Sequence, residues 1–148
     1  MKLQEDNLVK GIYKNIIFEI SKPVDNYEFY NYYIYIVLDF IEDDDVAEEL
    51  WLEPMDGTII PERPRKRYPY LENDLLIDLD FHGGITYYSK GFDSEDRRRI
   101  KIGCDYNHLS DQYRVYNQSE VISDVKNTID DFLNKVDYKL PKFLRGTT

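Results

Sequence analysis

The two histidines of the chain each stand among glycine and aspartate in a short segment. The first segment, His82–Tyr87, reads HGGITY, and the second, Ile102–Asp111, reads IGCDYNHLSD. An imidazole oriented by a carboxylate can act as a general base. His82, Asp105 and His108 are therefore the candidate catalytic residues if the protein is a small hydrolase. The competing interpretation is structural: a histidine can pin a glycine-rich turn through hydrogen bonds.

Histidine and aspartate also ligate divalent metals, but we assign no metal ligand and expect no cofactor. Gly83–Gly84 would let a phosphate approach the backbone closely, although the pair lacks the flanking residues of a P-loop or a dinucleotide fingerprint. The nearby arginines could hold an anion, or could pair with surface acids. A nucleotide-binding protein, such as a sponge for a nucleotide signal, is thus an alternative function. Its predicted ligand-binding residues are His82, Gly83, Gly84, Thr86, Tyr87, Arg97, Arg99, Asp105, His108 and Asp111.

The single cysteine, Cys104, excludes a disulfide within the chain and a cysteine-rich zinc site. Its apolar flanks predict a small core residue. A Cys104–His108 nucleophile pair is the alternative.

The formal net charge of the 148-residue chain is −10. Residues 1–50 hold twelve acidic and four basic residues, so this part should repel nucleic acid and attract a basic protein surface. The predicted protein-binding residues form one acidic run: Glu42, Asp43, Asp44, Asp45, Glu48 and Glu49. An ordinary solvated surface is the alternative. We expect no direct nucleic-acid partner, no membrane partner and a cytoplasmic location, since the first ten residues are polar and no apolar run approaches the ~20 residues of a membrane span.

Strands are predicted where apolar residues alternate or run continuously. Tyr30–Ile41 is apolar on nearly every position, which predicts a central strand covered on both faces. The other predicted strands are 15–20, 75–81, 85–88 and 97–104, with a possible short strand at 58–60 in a proline-rich loop that carries the basic residues 63–67.

Two helices are predicted. A short one begins within the acidic run, with Asp45 and Glu48 as its capping pair. The other lies near the C-terminus, where Asn117 and Glu120 fit a capping box and the apolar residues follow helical spacing: Val121, Ile122, Val125, Ile129, Phe132, Leu133 and Val136. The sequence therefore predicts one α+β domain over residues 1–148, with a mostly antiparallel sheet and the C-terminal helix packed on one face.

The two histidine segments together resemble a family of small proteins encoded by phages, prophages and plasmids. Members carry HGG[LI]TY followed by [IF]GFDCAH-x-x-D, and the similarity here extends from near Leu75 to near Val136. Cys104, Tyr106 and Asn107 stand where the family usually has Phe, Cys and Ala, and the absence of that family cysteine argues against a thiol mechanism.

The resemblance implies a mobile-element origin and no particular reaction. With the acidic surface, it leads us to expect an accessory protein that inhibits a host function by binding a host protein with a basic surface. An antiviral defence effector such as a CRISPR nuclease is the expected target, and the protein is expected to be non-enzymatic.

Overall fold

The computed structural model describes residues 8–22, 29–52, 73–106 and 115–139. Within these ranges, five antiparallel strands form one sheet in the order β1-β2-β3-β5-β4. The strands are β1 (Leu8–Tyr13), β2 (Ile16–Ser21), β3 (Asn31–Val37), β4 (Tyr87–Phe92) and β5 (Arg98–Asp105). The helices are α1 (Asp44–Trp51), α2 (Asp74–Asp78) and α3 (Gln118–Lys135). The predicted α+β class, with an antiparallel sheet and a packed C-terminal helix, is confirmed.

Strand β1 was absent from the sequence-based prediction. It pairs with β2 through a two-residue turn in which Lys14 and Asn15 both have positive φ, 51° and 69°. Two central residues with positive φ give the hairpin turn whose twist matches that of the strands, and asparagine tolerates this conformation well. The signal for β1 was therefore the lysine-asparagine pair ahead of the first apolar run.

Strand β3 lies between β2 and β5, as expected of a central strand. It ends at Val37, before the predicted end at Ile41, because a 3-10 turn follows over Leu38–Phe40. Its even-numbered side chains are fully buried and join the apolar core. Its odd-numbered side chains are half-buried, and no helix among the described residues lies on that face, so the predicted two-sided cover is not found there.

Helix α3 packs on the core face of the sheet. Val121, Val125, Ile129 and Phe132 are completely buried in the same cluster as the even-numbered residues of β3. The predicted capping box is confirmed, since the Asn117 side chain accepts from the Glu120 amide and the Glu120 carboxylate accepts from the Asn117 amide.

The other two helices differ from what the sequence predicted for these segments. The predicted strand 75–81 is wrong: it begins as α2, because the Asn73 carboxamide caps the Leu76 amide at 3.1 Å and turns the chain into a helix. Helix α1 is capped two residues earlier than predicted, by Asp43 and not by Asp45, since the Asp43 carboxylate accepts from the Asp45 amide at 2.9 Å.

The last two strands lie within a few residues of their predicted positions. The strand predicted at 85–88 is β4 and continues to Phe92, and the strand predicted at 97–104 is β5. The possible strand at 58–60 and the basic residues 63–67 lie outside the described residues.

Candidate functional site

The turn that carries His82 is held against helix α3 by a chain of buried hydrogen bonds. The His82 backbone amide donates to the Tyr32 hydroxyl at 3.1 Å, and that hydroxyl lies 2.7 Å from Thr128 Oγ1. Thr128 is completely buried and bonds in turn to the Asp80 carbonyl. A buried network whose groups are all hydrogen-bonded fixes one conformation, because breaking any member leaves a polar group unpaired in a medium of low dielectric.

Two glycines let the chain reverse after His82. Gly83 and Gly84 have φ values of 70° and 93°, a region that residues with a Cβ rarely enter. The Gly84 amide donates to the Phe81 carbonyl at 3.0 Å and closes the turn. The glycine pair is thus required by the backbone conformation, independently of any phosphate ligand.

The His82 ring belongs to an aromatic cluster. It stacks on Tyr106 with the ring centroids 3.9 Å apart and meets Tyr116 edge-on at 5.4 Å. Burial raises the pKa of Tyr106, and its hydroxyl donates to Asp124 on α3 at 2.5 Å, which raises that pKa further. These contacts orient the half-buried imidazole between the end of β5 and the start of α3.

The two histidine segments do meet at the end of β5. The Thr86 amide donates to the Gly103 carbonyl at 2.9 Å, and the Thr86 hydroxyl donates to Asp105 Oδ2 at 3.3 Å. The two segments are therefore adjacent in the fold as far as Tyr106. His108 and Asp111 lie outside the described residues.

The predicted arginines lie elsewhere. Arg97 is in the β4–β5 turn at the opposite end of the strand, where its guanidinium Nε lies 2.9 Å from Asp93 Oδ2. Asp93 is partly desolvated, which raises its pKa, but hydrogen bonds from Arg97 outweigh this and hold the pKa below its usual range. Arg99 lies on the open face of β5, with its guanidinium 4.4 Å from the centre of the Tyr35 ring. Neither guanidinium joins the His82 cluster in these contacts.

The described residues around His82 support neither thiol catalysis nor metal binding. Cys104 is 2% exposed, and burial raises its thiol pKa far above the ordinary value, so it is the core residue that the sequence predicted. Within the described part of the chain, no three His, Cys, Asp or Glu residues come close enough together to hold a metal. The contacts of the cluster fix the backbone turn at His82 and the positions of the His82 and Tyr106 rings.

A second candidate surface surrounds helix α1. Residues 39–49 contain seven acidic and no basic residues, and the six predicted protein-binding residues Glu42, Asp43, Asp44, Asp45, Glu48 and Glu49 are all exposed. At the far end of the helix an aromatic patch begins, which was not among the predicted binding residues. Trp51 meets Phe92 with ring centroids 5.8 Å apart, and Phe92 and Leu52 are 57% and 69% exposed.

Two cations lie over the Trp51 ring, and one of them, Arg98, links this patch to the acidic run. Arg98 lies 5.5 Å from the Trp51 ring centre and 3.1 Å from Glu48 Oε1, and Lys90 lies 5.1 Å from the same ring. We name Glu48, Trp51, Leu52, Phe92 and Arg98 the α1 patch. The sequence signal for it was an unbroken apolar pair, Trp51-Leu52, at the end of an amphipathic helix.

Comparison with protein-family models, with curated proteins and with solved structures gives no match. None of the helices described here combines the length and the hydropathy that crossing a bilayer would need.

Proposed function

We propose that this protein is a non-catalytic inhibitor, of mobile-element origin, that binds a basic surface of a host protein, with an antiviral defence effector such as an RNA-guided nuclease as the target. The observation that carries the proposal is the α1 patch, where exposed apolar side chains adjoin the exposed acidic run.

The apolar part supplies the energy of binding. Tryptophan and arginine are enriched among the few residues that dominate protein interfaces, and they act where a rim of polar residues excludes water. Trp51 contacts both Arg98 and the exposed Phe92, and the exposed Leu52 follows Trp51 in the chain. Exposed large apolar groups that adjoin one another are a feature of binding surfaces.

The acidic part supplies specificity and speed of association. Carboxylates at positions 42–45, 48 and 49 present negative charge along one short segment, as a nucleic-acid backbone does, and would be attracted to a groove that normally holds nucleic acid. The alternative hydrolase, whose candidate residues are His82, Asp105 and His108, is less well supported, because the His82 ring is packed against Tyr106 and Tyr116.

The test measures binding to purified RNA-guided nucleases by biolayer interferometry, before and after guide loading. We expect binding that weakens with salt, and a loss of about 30-fold or more in affinity for Trp51→Ala, the range of an interface hot spot. Replacing Asp44, Asp45 and Glu49 by Asn, Asn and Gln should mainly slow association. Asp43 is left intact because it caps α1.

The control is Arg99→Gln, which removes a cation from the face of the sheet opposite the α1 patch. The Arg99→Gln variant should bind the nuclease with the affinity of the wild type. If none of the nucleases binds and tagged protein recovers no host protein from a bacterial lysate above background, the proposal is wrong. Binding that Trp51→Ala and the acidic variant leave unchanged would show that another surface is used.

A further inference from the structure

The face of the sheet opposite the helices is rich in tyrosine and in cations. Because neighbours in register share a face, the pairings place on it Tyr33 and Tyr35 of β3, Tyr87 of β4, and Arg99 and Lys101 of β5. We name these five residues the tyrosine face. All five are half-buried, and no described helix covers them. Only Tyr87 and Arg99 were among the predicted ligand-binding residues.

A glycine brings two of the rings together. Gly103 lies between Tyr33 and Tyr87 in the register, and a Cβ at this position would come within 2.2 Å of Tyr33 Cδ1. Without a Cβ there, the two rings meet edge-to-face, with centroids 5.3 Å apart. The result is an aromatic surface that extends from the central strand β3 across β5 to the edge strand β4, of the kind on which a nucleobase can stack.

The cations lie over the same rings. Lys101 Nζ is 4.5 Å from the centre of Tyr33 and the Arg99 guanidinium is 4.4 Å from that of Tyr35. Glu19 lies at the margin, where its carboxylate accepts from the Tyr35 hydroxyl at 2.9 Å and lies 3.4 Å from Lys101 Nζ. The charge of Glu19 is thus largely compensated within the sheet. The Arg99 guanidinium lies over the Tyr35 ring and carries five N–H donors that a phosphate can accept from.

The local charge differs in sign from that of the molecule. The charged residues that the described strands place on this face are three basic and two acidic: Lys10, Arg99, Lys101, Glu19 and Asp105. The face is therefore slightly positive in a chain whose net charge is −10. Such a chain repels a long polyanion at distance, so a small anion suits this surface better than a nucleic-acid strand does.

We propose that the tyrosine face binds a nucleotide with one or two phosphates, the base stacking on the Tyr33–Tyr87 pair and a phosphate lying between Arg99 and Lys101. The site is distinct from the α1 patch. Helix α1 is on the core face, where Tyr88 of β4 donates its hydroxyl to the Leu50 carbonyl at 2.6 Å. The two proposals can therefore fail separately.

The test measures the affinity of the full-length protein for adenosine, AMP, ADP and cyclic di-AMP by isothermal titration calorimetry at low salt. We expect binding of the phosphate-bearing ligands, and Tyr87→Leu should weaken it about ten-fold, the effect of losing one base–aromatic stack. Tyr87→Phe keeps the ring and should keep the affinity. Arg99→Gln should weaken AMP and ADP more than adenosine.

Arg98→Gln is the matched control, since it removes the adjacent charge from the other face and should leave nucleotide affinity unchanged. Circular dichroism establishes that each variant is folded. The proposal is overturned if none of the nucleotides binds up to millimolar concentration, if Arg98→Gln is as damaging as Arg99→Gln, or if a single-stranded oligonucleotide binds far more tightly than any of the small ligands.

Discussion

Replacement of Gly103 by alanine should destabilise the protein more than a single added methyl group normally would. The new Cβ would lie 2.2 Å from Tyr33 Cδ1 and 2.5 Å from the Tyr32 backbone oxygen, whereas carbon atoms in contact normally lie ~3.5–4.0 Å apart. The Tyr33 ring can rotate away, but the carbonyl of a central strand can move only with its strand. Overpacking of this kind costs about 1–3 kcal/mol.

We expect a loss of about 2–3 kcal/mol in the free energy of unfolding, in the upper part of that range because backbone must move. For a domain of this size the melting temperature should fall by roughly 5–10 °C. The assay is urea and thermal unfolding followed by circular dichroism, with the fluorescence of Trp51, the only tryptophan, as a second probe.

Gly91→Ala is the matched control. Gly91 lies on the same face in β4, but a Cβ added there meets no atom within 4 Å, so this variant should stay within about 0.5 kcal/mol of the wild type. Equal destabilisation by the two variants would mean that strand flexibility, and not the contact with Tyr33, sets the cost. An unchanged stability of Gly103→Ala would refute the described packing of the tyrosine face.

Two further predictions concern the core. Thr128→Val keeps the side-chain shape but removes the hydroxyl that the buried Tyr32 hydroxyl contacts, so unfolding free energy measured in urea should fall by about 1–3 kcal/mol, while Thr128→Ser, which keeps the hydroxyl, should lose less. A Thr128→Val protein as stable as the wild type would contradict the network. Cys104 should resist a thiol reagent such as Ellman's at pH 8, because burial both blocks access and raises the pKa, and it should react promptly in denaturing urea; rapid reaction of the native protein would show that the thiol is accessible.

Some elements could be predicted because their causes are local. The capping box of α3 needs only Asn117 and Glu120 at a fixed spacing, and its buried stripe follows from the 3.6-residue period. The one-sided burial of β3 could not be predicted in this way, because its odd-numbered residues are nearly as apolar as its even-numbered ones. Local signals also misled: 75–81 alternates like a strand, yet the Asn73 cap starts a helix there, because hydrogen bonds at the start of a segment outweigh a short apolar pattern.

The candidate site was predictable in part. The segments that carry His82 and Asp105 were grouped as one candidate site and do come together, through the bond between Thr86 and Asp105. Arg97 was placed in the alternative anion-binding site but lies at the other end of β5. A strand rises about 3.3 Å per residue, so Arg97 at one end of β5 and Asp105 at the other are far apart in the fold.

The sequence by itself determined the acidity of the protein, an apolar content sufficient for one domain, the C-terminal helix and the positions where glycine bends the chain. Only the tertiary structure decided which residues share a surface. Tyr33 meets Tyr87, and Trp51 meets Phe92, through strand and helix contacts between segments distant in sequence. Pairing of this kind depends on the register of the whole sheet, in which a slip of one residue would turn every side chain to the other face.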